Sequence, residues 1–213
     1  MNNLFEIKVC GINDKKSMNT ALKYKANYIG FVFYPNSPRN ISINQSRELL
    51  QLRNKTTKIV ALTVNPNDDF LFEIKNEIKP DYIQLHGNEN PNRCRYIKKN
   101  LNIPIIKGIN VKNKLNLVQL TTDFEDICDI LLLDAPSEDL PGGNGKKFDW
   151  DILKDFKSKK KWMLAGGLNI ENIEKAIKIT KAPAIDISSG LEIIKGVKDP
   201  KLIENFIIKC KEL

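Results

Sequence analysis

Eight short apolar runs alternate with eight helix-like stretches over 213 residues, and that alternation constrains the fold more than any other feature. The runs occupy residues 5–10, 28–33, 58–64, 82–85, 104–108, 130–134, 162–165 and 184–188. They are rich in Ile, Val and Leu. Most are near-continuous instead of alternating, as expected for parallel strands covered on both faces. Between and after them lie residues 15–25, 44–53, 68–78, 91–100, 115–124, 150–157, 170–179 and 200–210. In the first of these stretches Met18, Ala21 and Leu22 fall on one helical face; in the third, Phe70, Leu71 and Ile74 do. Pro91 and Pro200 stand where a first-turn proline is tolerated. Strict alternation predicts an α/β protein with a parallel sheet. Eight units at this length fit a single (β/α)8 (TIM) barrel covering residues 1–213 as one domain. An open doubly wound sheet is the alternative.

A barrel places its chemistry at the C-terminal ends of the strands. Residues 131–150 supply the fullest such end: an apolar run closing on Asp134, then Gly142, Gly143, Asn144 and Gly145, then Lys146 and Lys147. Phe148-Asp149-Trp150 follows, where a helix can start with Asp149 as its cap. The first run ends on Cys10, just before Gly11. The second leads into a proline-stiffened loop carrying Arg39, a donor fork suited to a carboxylate. The fourth ends on Gln84, Leu85 and His86, the only histidine. The seventh ends on Gly166-Gly167 and the eighth on Asp186, Ser188, Ser189 and Gly190. Each residue also has a plain reading: Cys10 as a buried hydrophobe, Arg39 as solvated, His86 as structural. Three small-residue loops after three successive strands together suggest phosphate binding, because glycine admits close backbone approach and helix N-termini favour anions.

Composition removes several alternatives. The chain carries 34 Lys and Arg against 26 Asp and Glu, a net charge of +8. The lysines are spread along helical stretches and matched by acids, with one run at 157–161, so a solvated face is expected and nucleic-acid binding is not. Four scattered cysteines without a CxxC pair give no disulfide framework and no zinc spacing. No apolar run approaches the roughly 18 residues of a membrane span. The N-terminus shows no secretory core. The expectation is a cytoplasmic protein with no membrane partner, and a monomer.

Seven blocks then fall in order: Lys8-Val9-Cys10-Gly11-Ile12; Gly30-Phe31-Val32-Phe33 with Ser37-Pro38-Arg39; Gln84-Leu85-His86-Gly87; Leu133-Asp134 with the glycine loop; Phe148-Asp149-Trp150; Leu164-Ala165-Gly166-Gly167-Leu168; and Asp186-Ile187-Ser188-Ser189-Gly190-Leu191-Glu192 with Lys198-Asp199. In this the chain resembles the phosphoribosylanthranilate isomerases of tryptophan biosynthesis, over about residues 8–199. The resemblance implies a (β/α)8 barrel and an Amadori rearrangement of N-(5-phosphoribosyl)anthranilate, a phosphorylated small molecule, without metal or cofactor. It places the general acid on Asp134 and the general base on Cys10. Arg39 would hold the anthranilate carboxylate. Lys8, Gln84, His86 and Asp186 would support the substrate site. The phosphate would sit among Gly143, Gly145, Gly166, Gly167, Ser189 and Gly190. Three departures stand out: Asn144 where Thr or Ser is common, Thr63 where Phe is usual, and Lys195-Gly196 in place of Pro-Gly.

Both catalytic groups are mismatched to their tasks at their ordinary pKa values, about 3.9 for Asp and 8.5 for Cys. Partial burial is expected to raise Asp134, and Lys8 with loop amides to favour the Cys10 thiolate. The nearest rivals are other phosphate-handling barrels, indole-glycerol-phosphate synthase with Lys and Glu groups and ribulose-phosphate epimerase with a metal. A single histidine makes the metal site hard to build. A basic, non-catalytic barrel is a further reading, but it gives no reason for Cys10, Asp134 and Arg39 to stand at strand ends.

Overall fold

Strands form where the apolar runs predict them. They are β1 (Glu6–Cys10), β2 (Tyr28–Phe33), β3 (Lys58–Thr63), β4 (Tyr82–Leu85), β5 (Ile105–Asn110), β6 (Ile130–Asp134), β7 (Lys161–Leu164) and β8 (Ala184–Ile187). The computed structural model describes residues 5–135 and 149–213. Each strand pairs in parallel with the next, and β8 pairs with β1, placing Lys8 opposite Asp186. The sheet therefore closes into an eight-stranded barrel, and the open-sheet alternative falls.

Closure sorts the side chains, because successive residues on a strand point to opposite faces. Ile7, Val9, Ile29, Phe31, Ile83, Leu85, Leu131 and Leu133 pack outward against the helices in the larger core cluster. Tyr28, Val60, Ile106, Ile130, Leu132, Met163 and Ala184 fill the barrel interior. Cys10, Val32 and Leu62 form a small layer above them. Each fully buried Ile or Leu contributes roughly 1.5–3 kcal/mol.

The surrounding helices are α1 (Lys15–Lys23), α2 (Ile43–Leu50), α3 (Asp68–Ile78), α4 (Pro91–Leu101), α5 (Lys114–Glu125), α6 (Ile173–Thr180) and α7 (Pro200–Glu212). Asp14, Ser42, Asn67, Asn90, Asn113 and Asp199 each accept hydrogen bonds from first-turn amides, contributing about 1 kcal/mol apiece. No helix among the described residues is long and apolar enough to cross a membrane.

Three details depart from the sequence reading. The helix expected over 150–157 is only a 3-10 turn, Trp150–Leu153, capped as predicted by Asp149. Lys154 takes ψ 127°, which ends the turn, Asp155 takes φ 61°, and Phe156 packs edge-on against Trp162 at 5.3 Å. α6 spans Ile173–Thr180 and not 170–179; the residues before it form a turn whose Glu171 and Asn172 amides donate to the Asn169 side chain. After β8 the chain forms a two-stranded hairpin, β9 (Glu192–Ile194) with β10 (Val197–Lys198), that periodicity did not reveal. Gly142, Gly143, Asn144, Gly145, Lys146 and Lys147 lie outside the described residues.

Candidate active site

Lys8 and Cys10 lie two apart on β1 and so share the inward face. Cys10 stands in register with Gly30 on β2. A Cβ at Gly30 would come within 2.9 Å of Cys10 Sγ and 3.3 Å of Lys8 Nζ, so the missing side chain is the space both groups use. Lys8 Nζ donates to Asp186 Oδ1 at 2.8 Å. Burial opposes the Lys8 charge, but Asp186 and Cys10 outweigh it and raise its pKa. Burial likewise dominates at Cys10 and pushes the thiol up, with Lys8 and Lys198 offsetting only part of it. This corrects the expectation that Lys8 favours the thiolate outright: the lysine does pull that way, and desolvation wins. The sequence reading also sets Lys8 among the substrate contacts. The structure buries it completely, with its ammonium on Asp186.

Asp134 ends β6, facing inward, with 5% of its surface exposed. Its Oδ1 accepts from the Ala135 amide at 2.8 Å, and its Oδ2 lies 3.3 Å from His86 Nε2. His86 follows β4, so its ring reaches across β5 to meet β6. Gly108 on β5 makes that reach possible, since a Cβ there would lie 2.4 Å from His86 Nδ1. Gln84 Nε2 stands 3.1 Å from the same Nδ1. With the Gln84 amide donating, His86 carries its proton on Nε2 and donates to Asp134. Gln84 Oε1 is buried with no hydrogen-bond partner among the described residues. Gly166 closes the other side of Asp134. It takes φ 90°, and a Cβ there would lie 2.6 Å from Ala135 N and 2.9 Å from Asp134 Oδ1.

Arg39 reaches the pocket from the β2–α2 loop, its stem crossing Gly11. Its Nε donates to Glu192 Oε1 at 2.6 Å and its Nη2 to Glu192 Oε2 at 2.8 Å, a buried two-point pair. Lys198 also donates to Glu192 Oε1, and to Ser188 O at 3.2 Å and Ser188 Oγ at 3.3 Å. Ser188 Oγ in turn donates to the Cys10 carbonyl at 3.1 Å. Burial alone would push the Glu192 carboxyl up; the hydrogen bonds and charge of Arg39 and Lys198 outweigh it and hold it at about 2. Lys198 is pulled down by burial, against the attraction of Glu192.

One pocket at the C-terminal mouth of the barrel is lined by Cys10, Arg39, Gln84, His86, Asp134 and Asp186 on one part and by Gly166, Gly167, Leu168, Ser188 and Ser189 on another. Gly190 stands behind that second wall, where a Cβ would lie 2.1 Å from Leu168 O. Around the pocket Lys8 pairs with Asp186, Arg39 and Lys198 share Glu192, and Asp134 faces His86. Among the described residues no group of three or more His, Cys, Asp or Glu side chains is arranged to hold a metal ion.

Residues 7–209 match the family described as N-(5'-phosphoribosyl)anthranilate (PRA) isomerase. The chain belongs to the PRA isomerase family. An N-(5'-phosphoribosyl)anthranilate isomerase of Brucella canis is 40% identical over 204 residues, covering 94% of this chain and 91% of that one. The crystal structure of phosphoribosyl anthranilate isomerase from Thermotoga maritima shares 30% identity at a TM-score of 0.88, covering 98% of this chain and all of the other. A phosphoribosyl anthranilate isomerase in complex with reduced 1-(o-carboxyphenylamino)-1-deoxyribulose 5-phosphate aligns at a TM-score of 0.83 with 30% identity and the same coverage. The protein is thus an enzyme, an isomerase of the PRA isomerase family with a TIM-barrel fold.

The structure brings Cys10, Arg39, Gln84, His86, Asp134, Asp186, Gly166, Gly167 and Ser189 to one pocket. Gly143 and Gly145 lie outside the described residues. Sequence reasoning named Glu192 and Lys198 within a motif but gave them no role. The signal was a Glu and a Lys six apart around Gly196, which become cross-strand partners in the hairpin.

Proposed function

We propose that this enzyme catalyses the Amadori rearrangement of N-(5'-phosphoribosyl)anthranilate to 1-(2-carboxyphenylamino)-1-deoxyribulose 5-phosphate, in tryptophan biosynthesis. Asp134 is the general acid and Cys10 the general base. One observation carries the assignment: Cys10 on β1 and Asp134 on β6 enter the same pocket mouth from strands separated by β7 and β8 on one side. A substrate lying between them meets an acid at one atom and a base at another.

The proton account is as follows. Asp134 gives its proton to the furanose ring oxygen as the C1'–O bond breaks, and the anilino nitrogen pair moves in to form a Schiff base. Cys10 thiolate takes the proton from C2', leaving an enolamine. Tautomerisation to the ketone returns a proton to carbon, so the reaction is a net isomerisation. A buried thiol is a stronger base once ionised, which suits removal of a carbon-bound proton, and its cost is a small thiolate fraction at neutral pH. Lys8 and Lys198 support that thiolate when it forms.

Arg39 holds the anthranilate carboxylate, with Asp186 acting through Lys8 and Gln84 through His86. The phosphate sits on the backbone of Gly166, Gly167, Ser189 and Gly190, with Gly143 and Gly145 from the loop beyond Asp134. The phosphorylated ligand bound in the related isomerase supports a substrate of this class.

Loss of anthranilate-type fluorescence from freshly made substrate reads the activity. Cys10→Ala and Asp134→Asn are each expected to lower kcat by roughly 100- to 10,000-fold while keeping the native circular dichroism. Full activity in either variant refutes the assignment of that residue.

A further inference from the structure

The reaction as proposed makes no use of Glu192, yet this carboxylate is among the most heavily engaged groups near the pocket. Its two oxygens accept from Arg39 Nε at 2.6 Å, Arg39 Nη2 at 2.8 Å, the Gly196 amide at 3.0 Å and Lys198 Nζ. The side chains are nearly or fully buried, 4% exposed for Glu192, 6% for Arg39 and none for Lys198. Burying three charges is costly, and an apolar trio of similar volume is often as stable or more so. Stability is therefore a weak reason for the arrangement, and orientation is a better one.

The hairpin that carries Glu192 is itself fixed from both sides. Gly196 takes φ 89°, and a Cβ there would lie 2.4 Å from Pro38 O, next to Arg39 in the chain. Asn13 Nδ2 donates to Gly196 O at 3.2 Å. Exposed Ile193, Ile194 and Val197 cover the outside while Glu192 and Lys198 turn inward. A planar guanidinium held at Nε and Nη2 by one carboxylate has its plane set. Lys198 links the same carboxylate to Ser188, and Ser188 to the Cys10 carbonyl. The Glu192 carboxylate binds both Arg39 and Lys198, whose like charges act against each other.

We infer that Glu192 is a positioning residue: it sets the plane and reach of the Arg39 guanidinium for the aryl carboxylate of the substrate, and keeps Lys198 from repelling it. This rests on reading Arg39 as the binder of that carboxylate.

The test uses two probes and three variants of the full chain. One probe is reduced 1-(2-carboxyphenylamino)-1-deoxyribulose 5-phosphate; the other is the same molecule without the aryl carboxylate. Glu192→Gln is expected to weaken the carboxylate-bearing probe by roughly 10- to 100-fold, the scale of a binding group misplaced by about 1 Å, and to leave the other probe within about threefold. KM for substrate rises in step. Glu192→Asp keeps the charge and retracts it by one methylene. It secures the test against misfolding of the Gln variant and is expected to show a smaller loss, roughly 3- to 10-fold, on the carboxylate probe alone. Equal weakening of both probes, or of neither, overturns the inference. Arg39→Ala run in parallel separates the causes. If it discriminates between the probes and Glu192→Gln does not, the inference alone falls. If Arg39→Ala fails to discriminate, the carboxylate role of Arg39 and the inference fall together.

Discussion

Gly108→Ala isolates the contact between His86 and Asp134 with a single methyl group. A Cβ at Gly108 would lie 2.4 Å from His86 Nδ1, 3.0 Å from Cε1 and 3.1 Å from Cγ, where ordinary contact begins at 3.4 Å. The ring must therefore give way by about 1 Å, or the strand must. The ring is not loose: Gln84 Nε2 holds Nδ1 at 3.1 Å, and Nε2 meets Asp134 Oδ2 at 3.3 Å. A 1 Å displacement carries the second of these out of hydrogen-bond range. Retaining the ring's place instead costs about 1–3 kcal/mol of overpacking, while leaving the buried His86 and Asp134 groups without this hydrogen bond costs about 1–3 kcal/mol. Either route lowers stability by about 2 kcal/mol, a fall in Tm of roughly 4–8 °C for a domain of this size. If Asp134 follows the ring, kcat falls by roughly 10- to 100-fold. KM stays near its original value, because Arg39 and the loop backbones after β7 and β8 are untouched. The assay is steady-state fluorescence with a thermal melt, repeated in a His86→Ala background where the space is vacant. There the added methyl is expected to be nearly neutral for both kcat and Tm, a non-additivity that marks direct contact. Unchanged kcat and Tm in Gly108→Ala, or the same penalty without His86, would refute the role given to the His86–Asp134 contact.

Two further outcomes follow from the charges around the pocket. Burial raises the Cys10 thiol above the ordinary cysteine value of about 8.5, so its alkylation by iodoacetamide, measured against pH with Cys10→Ser subtracted, should reach its midpoint above that value; a midpoint at or below it contradicts the balance of burial over Lys8. Glu192, held at about 2 against an ordinary 4.5, stabilises the fold fully above pH 4.5 and loses that contribution as pH falls towards 2. Denaturant unfolding should thus show the native chain losing stability more steeply than Glu192→Gln across that window, with the variant about 3–5 kcal/mol less stable at neutral pH; parallel curves would exclude it.

The pairing of Lys107 shows how far the mouth depends on residues outside the pocket. Lys107 faces outward from β5, buried, and donates to Leu85 O at 3.3 Å, Gly87 O at 2.7 Å and Glu89 Oε2 at 2.9 Å. Glu89 also accepts from the Asn65 and Gly87 amides. This buried pair straps the loop that follows His86 to the loop after β3. The histidine is therefore set by its ring contacts and by its backbone together.

Local pattern was enough for the eight strands, most of the helices and the candidate residues at strand ends. An apolar run of five or six residues, a capping Asn or Asp, and a Gly after the strand are all properties of neighbours in the chain. Asp149 illustrates it, since its cap is made with Asp151 two residues on. Periodicity misjudged 150–157 because the backbone leaves the helical region at Lys154, with ψ 127°, and turns again at Asp155, with φ 61°, as Phe156 packs onto Trp162. The site's connections lay further out of reach. His86 meets Asp134 only because the barrel brings β4 within one strand of β6 and Gly108 leaves the gap between them. Arg39 and Glu192 are 153 residues apart, and Lys8 and Asp186 are 178 apart. Such pairs are set by ring closure and strand register, which no short-range pattern encodes. The Cys10 thiol is the plainest case. Its neighbour Lys8 is visible in the sequence, but whether that charge or desolvation governs it depends on how completely the closed barrel excludes water.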